Sequence, residues 1–540
     1  MTTTVPAPTP LVPVPVAPGR RPPRALAVTG IVVAALFGGP LLYLAIRTVG
    51  FGSSALDVLA SDDAAGPLLR SLLLAASVSA ACALLGTGLA WLVTRTDLPG
   101  RRLFRVLLVL PLVIPSFVGA LALQAAFATG GLLDRLLDFG IAPRIEGFWA
   151  AFAVLTLLSY PYVYLPVVAR LAVLPPELEE SARALGRTPA QVFRSIVLPQ
   201  TSGAIAAGSL LTFLYCVSEF GAVSLVRYDT LTLRIDATRL FDRETSVTLS
   251  LLLGVVAIVV VAAERALARR RINIEAVGGG RRAHHAQLGR WRAPALVGVV
   301  GVLTIALAAP IAVLAEWAVR GDGGRFGSST TSDLLDPVLH TVGISTVTAL
   351  VATFAVLPIA YLTVRHRSRV GGVVNALVVG GFALPGLVIA LALVFWVLGT
   401  PLVSGLYQSF PLLVFAYVVH FGAQALRASQ VAVSGLPKRL DDAARALGAG
   451  RLRRLRTVEL PLMAPGLAAG AGLVLLATMK ELPATLLLAP TGFETLSTSI
   501  WSATETGLMA RAGLTAIVLV ALSAVLTWAV TIRRMDHLER

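Results

Sequence analysis

Ionisable side chains are scarce in this sequence of 540 residues, so the few set inside apolar runs stand out. Glu219, in Ser218-Glu219-Phe220-Gly221, and Glu481, in Lys480-Glu481-Leu482-Pro483, each lie far along a long apolar stretch. A carboxylate inside a membrane-crossing segment is costly and is a functional candidate by default. Glu219, Glu481 and the neighbouring Lys480 are therefore candidates for a translocation pathway, and carboxylate oxygens are chemically compatible with hard cations. The structural alternative is that Glu481 pairs with Lys480 or caps an unwound helix. Tyr160, Tyr162 and Tyr164 offer further oxygens, although tyrosines at such places more often belong to an interfacial belt. Cys82 and Cys216 sit in apolar runs without metal-ligand spacing and read as small core residues. His284-His285 reads as a solvated pair in a basic linker, and no metal site is firmly assigned. The only lysines are Lys438, after Pro437, and Lys480, after Met479. A phosphate-cradling loop needs Gly-Lys-Ser or Gly-Lys-Thr, so the chain has no standard one and reads as something other than an enzyme.

Composition sets the elements that must position these residues. The chain is 56% hydrophobic and 14% charged, with a mean hydropathy of +0.81. A soluble domain carries about a quarter charged residues, so the expected fold is all-α, polytopic and membrane-embedded. Residues 1–24 read as a disordered cytoplasmic tail. A first span follows at 25–46, with its external loop reaching 66. Further spans are expected at 67–94, 103–127, 148–172, 201–226 and 246–267. The second half gives 293–318, 338–364, 372–398, 409–430, 464–489 and 510–532. The domains are therefore a first membrane unit at 67–267 and a basic cytoplasmic linker at 268–292. A helix with its external loop at 293–337, a second unit at 338–532 and a cytoplasmic tail at 533–540 complete the chain. Pro111, Pro115, Pro161, Pro166 and Pro385 fall within spans, where neighbouring helices satisfy the freed carbonyls.

The formal net charge of +16 does not mark a nucleic-acid face, because the arginines are spread over short loops. With both termini inside, the cytoplasmic segments hold 33 of the 45 Lys and Arg residues. That bias fits the positive-inside rule and anionic membrane lipid as the partner.

The two halves are related. Glu180-Ser181-Ala182, Gly186 and Ile196-Val197-Leu198-Pro199 recur 262 residues later as Asp442-Ala443-Ala444, Gly448 and Val458-Glu459-Leu460-Pro461. Ala-Arg-Ala-Leu-Gly is identical in both copies. At an offset of 270, Pro115 matches Pro385, Trp91 matches Tyr361 and Arg95 matches Arg365. Each half has an even number of spans, so the repeat is parallel, with its pseudo-two-fold axis along the membrane normal. Within each repeated segment Pro175-Pro176 or Pro437 opens a helix, and acidic residues occupy its first turns, as the helix dipole favours. Gly186 and Gly448 either end that helix or permit close approach. A short helix outside the membrane with a small-residue face suits a groove on a partner protein.

The pattern Glu-Ala-Ala, three residues, Gly, nine residues, Ile-x-Leu-Pro resembles the cytoplasmic signature of permease subunits of bacterial ATP-binding-cassette importers. The match lies at Glu180, Ala182, Gly186, Ile196, Leu198 and Pro199. Ser181 departs from it, as do Asp442 and Val458 in the second copy. The resemblance covers nearly all of 67–532 and implies a fused pair of permease domains. It implies a bacterial plasma-membrane location, two ATPase subunits that hold ATP and magnesium, no cofactor on this chain, and an extracytoplasmic binding protein. The segments around Lys480–Leu488 and Ser218–Thr230 look like fused permeases of ferric-iron importers, which implies a ferric-iron-binding protein as partner. A fused thiamine permease has the same architecture. A proton-coupled secondary transporter shares the two parallel halves, but nothing in one requires the doubled cytoplasmic motif.

Overall fold

The computed structural model describes residues 23–129, 131, 134–135, 145–268, 286–320, 331–366 and 369–529. The N-terminal tail, most of the basic linker with His284-His285, and the C-terminal tail lie outside the described residues. Among those described, the structure is helical without strands.

The first half runs α1 (Arg24–Gly50), α2 (Asp62–Arg95), α3 (Arg101–Leu107), α4 (Ser116–Phe127), α5 (Gly147–Ser159), α6 (Pro161–Val173), α7 (Pro176–Ala184), α8 (Leu198–Val217), α9 (Gly221–Leu225) and α10 (Arg243–Ala268). The second half runs α11 (Arg292–Leu303), α12 (Ala309–Arg320), α13 (Thr331–Val364), α14 (Arg369–Ala383), α15 (Gly386–Leu398), α16 (Phe410–Ser434), α17 (Lys438–Ala446), α18 (Leu460–Met479), α19 (Pro483–Leu488) and α20 (Met509–Thr527). Among the described residues, ten helical segments are long and apolar enough to cross a membrane, or twelve if two bent pairs each count as one span. The expected twelve therefore include two spans that are not straight. Residues 101–127 bend by 93° before Ser116, and 370–398 by 100° before Gly386. Pro115 and Pro385 sit extended at these corners. A proline lacks an N–H and crowds the carbonyl four residues back, and here the chain folds over rather than kinking. The expected spans 201–226 and 464–489 are also interrupted, between α8 and α9 and between α18 and α19.

The repeat extends to packing. In the first half α2, α6 and α8 pack together; in the second, α13, α16 and α18 do so. The extra leading helices cross over. α1 lies against α13, α14 and α15 of the second half, while α12 lies against α4 of the first as well as α20. The buried core is thus continuous across both halves. On α1 the residues Leu36, Leu42 and Ile46 are exposed, as a lipid-facing helix requires.

Among the described residues, π turns interrupt the helices at Phe193–Val197, Thr304–Ala308 and Leu455–Glu459. Each ends two residues before a proline, namely Pro199, Pro310 or Pro461. The ring displaces the carbonyl four residues back, and the wider i→i+5 turn accommodates it. The repeated Ile/Val-x-Leu-Pro sequence therefore spans the end of a π turn and the start of a long apolar helix.

Candidate functional site: two surface helices and a cavity between the halves

α7 and α17 are nine-residue helices with the same ending. The N–H of Gly186 donates to Arg183 O (2.9 Å) and that of Arg187 to Ala182 O (3.1 Å). In the second copy Gly448 donates to Arg445 O (2.9 Å) and Ala449 to Ala444 O (3.0 Å). This pair of bonds is a Schellman ending, which needs a left-handed residue after the cap. Gly186 has φ +79° and Gly448 φ +75°. A Cβ at either would meet nothing within 4 Å, so within this chain the glycines serve to end the helix, not to permit close approach.

Leu178 and Leu185 on α7 and its cap, and Leu440 and Leu447 on α17 and its cap, are exposed. Leu185 and Leu447 are 82% and 87% accessible, which leaves a bare apolar knob beside each glycine. Glu180, Ser181, Asp442 and Ala443 are exposed too, while Ala182 is buried and Ala444 half-buried. Ile196, Val458 and Leu460 are half-buried, and Leu198, Pro199 and Pro461 are exposed on the segment returning to the membrane helix. The acidic residue of α7 that turns inward is Glu179. It lies 3.5 Å from the Arg95 guanidinium, and Arg183 approaches its other oxygen.

The second site is a cavity of about 380 Å³ between the halves. The corners before Ser116 and Gly386, and the breaks after α8 and α18, all face it. Glu219 is buried and caps α9, accepting from Ala222 N at 2.8 Å. Ser116 Oγ, at the corner beside Pro115, donates to the same carboxylate at 2.8–2.9 Å. Glu481 caps α19, accepting from Ala484 N at 3.2 Å. Its neighbour at the position matching Ser116 is Gly386, where a Cβ would fall 2.6 Å from Glu481 Oε1. His420 Nε2 lies 4.0 Å from the other oxygen of Glu481. Lys480 reaches across the halves, and its Nζ donates to Leu112 O at 2.9 Å. Glu481 therefore caps a helix, and the Lys480 ammonium bonds the opposite half.

Tyr162 lines the cavity, whereas Tyr160 and Tyr164 are fully buried in the core. Tyr164 donates to Arg105 O at 3.0 Å, so neither of these two belongs to an interfacial belt. Sequence reasoning missed Ser116, Gly386 and His420. The signal for the first two was present, because each follows a proline of the matched pair Pro115 and Pro385. His420 matches Leu158 in the first half and carries no sequence signal of its own.

The family model described as "Binding-protein-dependent transport system inner membrane component" matches residues 83–273 and again residues 341–536. The chain belongs to this family. The permease is similar to an "Fe(3+)-transport system permease protein" of Haemophilus influenzae, 30% identical over 511 residues, covering 94% of this chain and 97% of the relative. It is also similar to a "Molybdenum transport system permease protein" of Mycobacterium tuberculosis, 35% identical over 243 residues (44% of this chain, 89% of the relative). A "Sulfate transport system permease protein" of Salmonella typhimurium is 38% identical over 143 residues, 26% of this chain and 51% of that protein. The permease is thus a two-domain inner-membrane component of an ATP-binding-cassette importer, fused in one chain. Its family is not one of enzymes, and ATP is hydrolysed on a separate subunit.

Proposed function

We propose that this permease moves ferric iron, delivered by an extracytoplasmic binding protein, through the cavity between its halves. The observation that carries the reading is the lining of that cavity, which holds two carboxyl groups, Glu219 and Glu481, and one lysine, Lys480. Hard trivalent cations are taken by oxygen donors, which the two carboxyl groups supply. The chain-long similarity to a ferric-iron permease supports the same choice over the shorter matches to sulfate and molybdenum permeases.

In this reading the N- and C-termini are cytoplasmic, and α7 and α17 dock in grooves of two ATPase subunits. The exposed knobs Leu185 and Leu447 supply the apolar anchors, and Glu180 and Asp442 the acidic flank. The loaded binding protein docks outside, and ATP closes the ATPase pair. The two helices move, the halves part and the cation passes the paired carboxylates, after which hydrolysis resets the permease. ATP and magnesium stay on the ATPase.

The test is uptake in vesicles holding the permease, its ATPase and its binding protein, offered ferric iron, thiamine, sulfate and molybdate separately, with and without ATP. ATP-dependent iron accumulation is expected. Accumulation of another solute in its place overturns the iron assignment and keeps the architecture. Uptake on a proton gradient without ATP overturns the importer reading.

A further inference from the structure

Arg95 and Trp91, with their repeat partners Arg365 and Tyr361, are absorbed neither by the docking helices nor by the cavity. They lie at the cytoplasmic-segment ends of α2 and α13. Arg95 is 97% buried, its exposure being 3%. Its Nη2 donates to Leu171 O at 2.7 Å and to Leu174 O at 2.9 Å, the last carbonyls of α6 and its cap. The same guanidinium faces Glu179 in the first turns of α7 at 3.5 Å. One side chain of α2 therefore braces the corner at Pro175 where the chain leaves α6 for α7. Four residues earlier, Trp91 packs edge-on against Phe193, with ring centres 5.7 Å apart. Phe193 begins the π turn through which the segment returns to α8. α2 thus grips the cytoplasmic segment at both of its ends.

The second half repeats this with different chemistry. Arg365 donates to Leu436 O at 3.1 Å, and Leu436 precedes Pro437 as Leu174 precedes Pro175. The Tyr361 hydroxyl donates to the carboxylate of Glu459, the last residue of the matching π turn. In each half, then, the helix holds the start of the docking segment through the matched arginine and its π turn through the residue four earlier, by a Trp–Phe contact at the turn's first residue in one half and by a hydroxyl–carboxylate bond at its last residue in the other. The linker joins the same hub in the first half. Ala286 N donates to Arg95 O at 2.8 Å, and Leu288 N to Asp97 Oδ1 at 2.9 Å.

We propose that Arg95 with Trp91, and Arg365 with Tyr361, are positioning residues that transmit displacement of each docking segment to α2 and α13. Motion then reaches the cavity by a packed lateral route as well as along the chain through the π turns. α2 and α13 are core members of the two three-helix groups, so a shift of either moves α6 and α8, or α16 and α18, together. The inference rests on α7 and α17 being the ATPase-docking helices.

The experiment uses the complete transporter in proteoliposomes and reads three quantities: ATPase subunit retained, ATP hydrolysis with and without the loaded binding protein, and uptake. The double variant Arg95→Gln/Arg365→Gln should retain the ATPase subunits and basal hydrolysis while uptake falls about tenfold or more, as loss of a coupling free energy predicts. Arg95→Lys/Arg365→Lys should recover part of that loss, because an ammonium reaches the carbonyls without the planar fork. Tyr361→Phe removes only a hydroxyl, so it guards against misfolding of the arginine variants. It should lower uptake per ATP hydrolysed. Uptake at the wild-type level in both the arginine and Tyr361→Phe variants overturns the proposal. So does a loss of uptake that only parallels loss of bound ATPase. Leu185→Asp/Leu447→Asp separates the premise: if these retain the ATPase, the docking assignment itself fails, whatever the arginine variants do.

Discussion

Replacing Gly186 and Gly448 tests the docking segments most directly. Both hold φ near +75 to +80° at the end of a Schellman turn. An L-residue with a Cβ there costs roughly 1–2 kcal/mol, more for a β-branched side chain and less for Asn. A deficit of 1–2 kcal/mol lowers the population of the native turn by about 5- to 30-fold. No atom of the chain lies within 4 Å of a Cβ at either site, so the permease itself adds no steric term. The series Gly→Asn, Gly→Ala, Gly→Val, made at both positions, therefore ranks by backbone cost alone if only the turn matters. A docked ATPase adds a second term that follows side-chain size. ATP-driven uptake and co-purification of the ATPase subunits should fall in the order Asn, Ala, Val, with membrane insertion unchanged. Wild-type uptake in the double Val variant refutes the assignment of these segments to the ATPase. Asn variants as impaired as Val refute the backbone argument and leave groove sterics as the cause.

Three further outcomes follow from the cavity and the loop before the helix cap at Thr230. Glu219→Gln or Glu481→Gln should lower iron uptake about 10- to 100-fold, since a charge-assisted contact is worth about 1.5–3 kcal/mol, whereas Lys480→Met should change it only a few-fold. The reverse ranking in vesicle uptake would mean that the cavity favours anions. Gly386→Ala places a methyl 2.6 Å from the Glu481 carboxylate, so it should impair iron uptake more than Ser116→Ala, which only removes a donor to Glu219; equal effects would show that the Glu481 position is indifferent. Arg227 holds φ +53° three residues before the helix cap Thr230, as Gly492 holds +78° three residues before the cap Thr495 in the second half, and its ion pair with Glu146 is exposed. Arg227→Gly should therefore raise stability by about 0.5–1 kcal/mol, read as a higher melting temperature in detergent, and a fall would show that the arginine side chain contributes more than its backbone costs.

Much of this was legible in the residue order because it is local. Runs of apolar residues long enough to span a bilayer announce themselves, and so does a segment repeated 262 residues on. The helices at Pro176–Ala184 and Lys438–Ala446, with glycine two residues beyond each, follow from proline at or before the first helical position and from the conformational freedom of glycine. The absence of a phosphate-cradling lysine is likewise a property of the string. Arg95 and Trp91 could be paired with Arg365 and Tyr361 by counting, but their partners could not.

The tertiary structure decided what those residues touch. Proline in an apolar span allows a kink or a fold-back, and only packing against the other helices chose bends of 93° and 100° at Pro115 and Pro385. Those bends bring Ser116 to Glu219 across 103 residues and set Gly386 against Glu481. They also open the cavity into which both carboxylates face. Packing likewise buried Tyr160 and Tyr164, where a belt was the commoner expectation, and carried α1 and α12 onto the opposite halves. The physical reason is range: propensity, capping and hydropathy act within a few residues, whereas these contacts join segments whose separation leaves no periodicity to read.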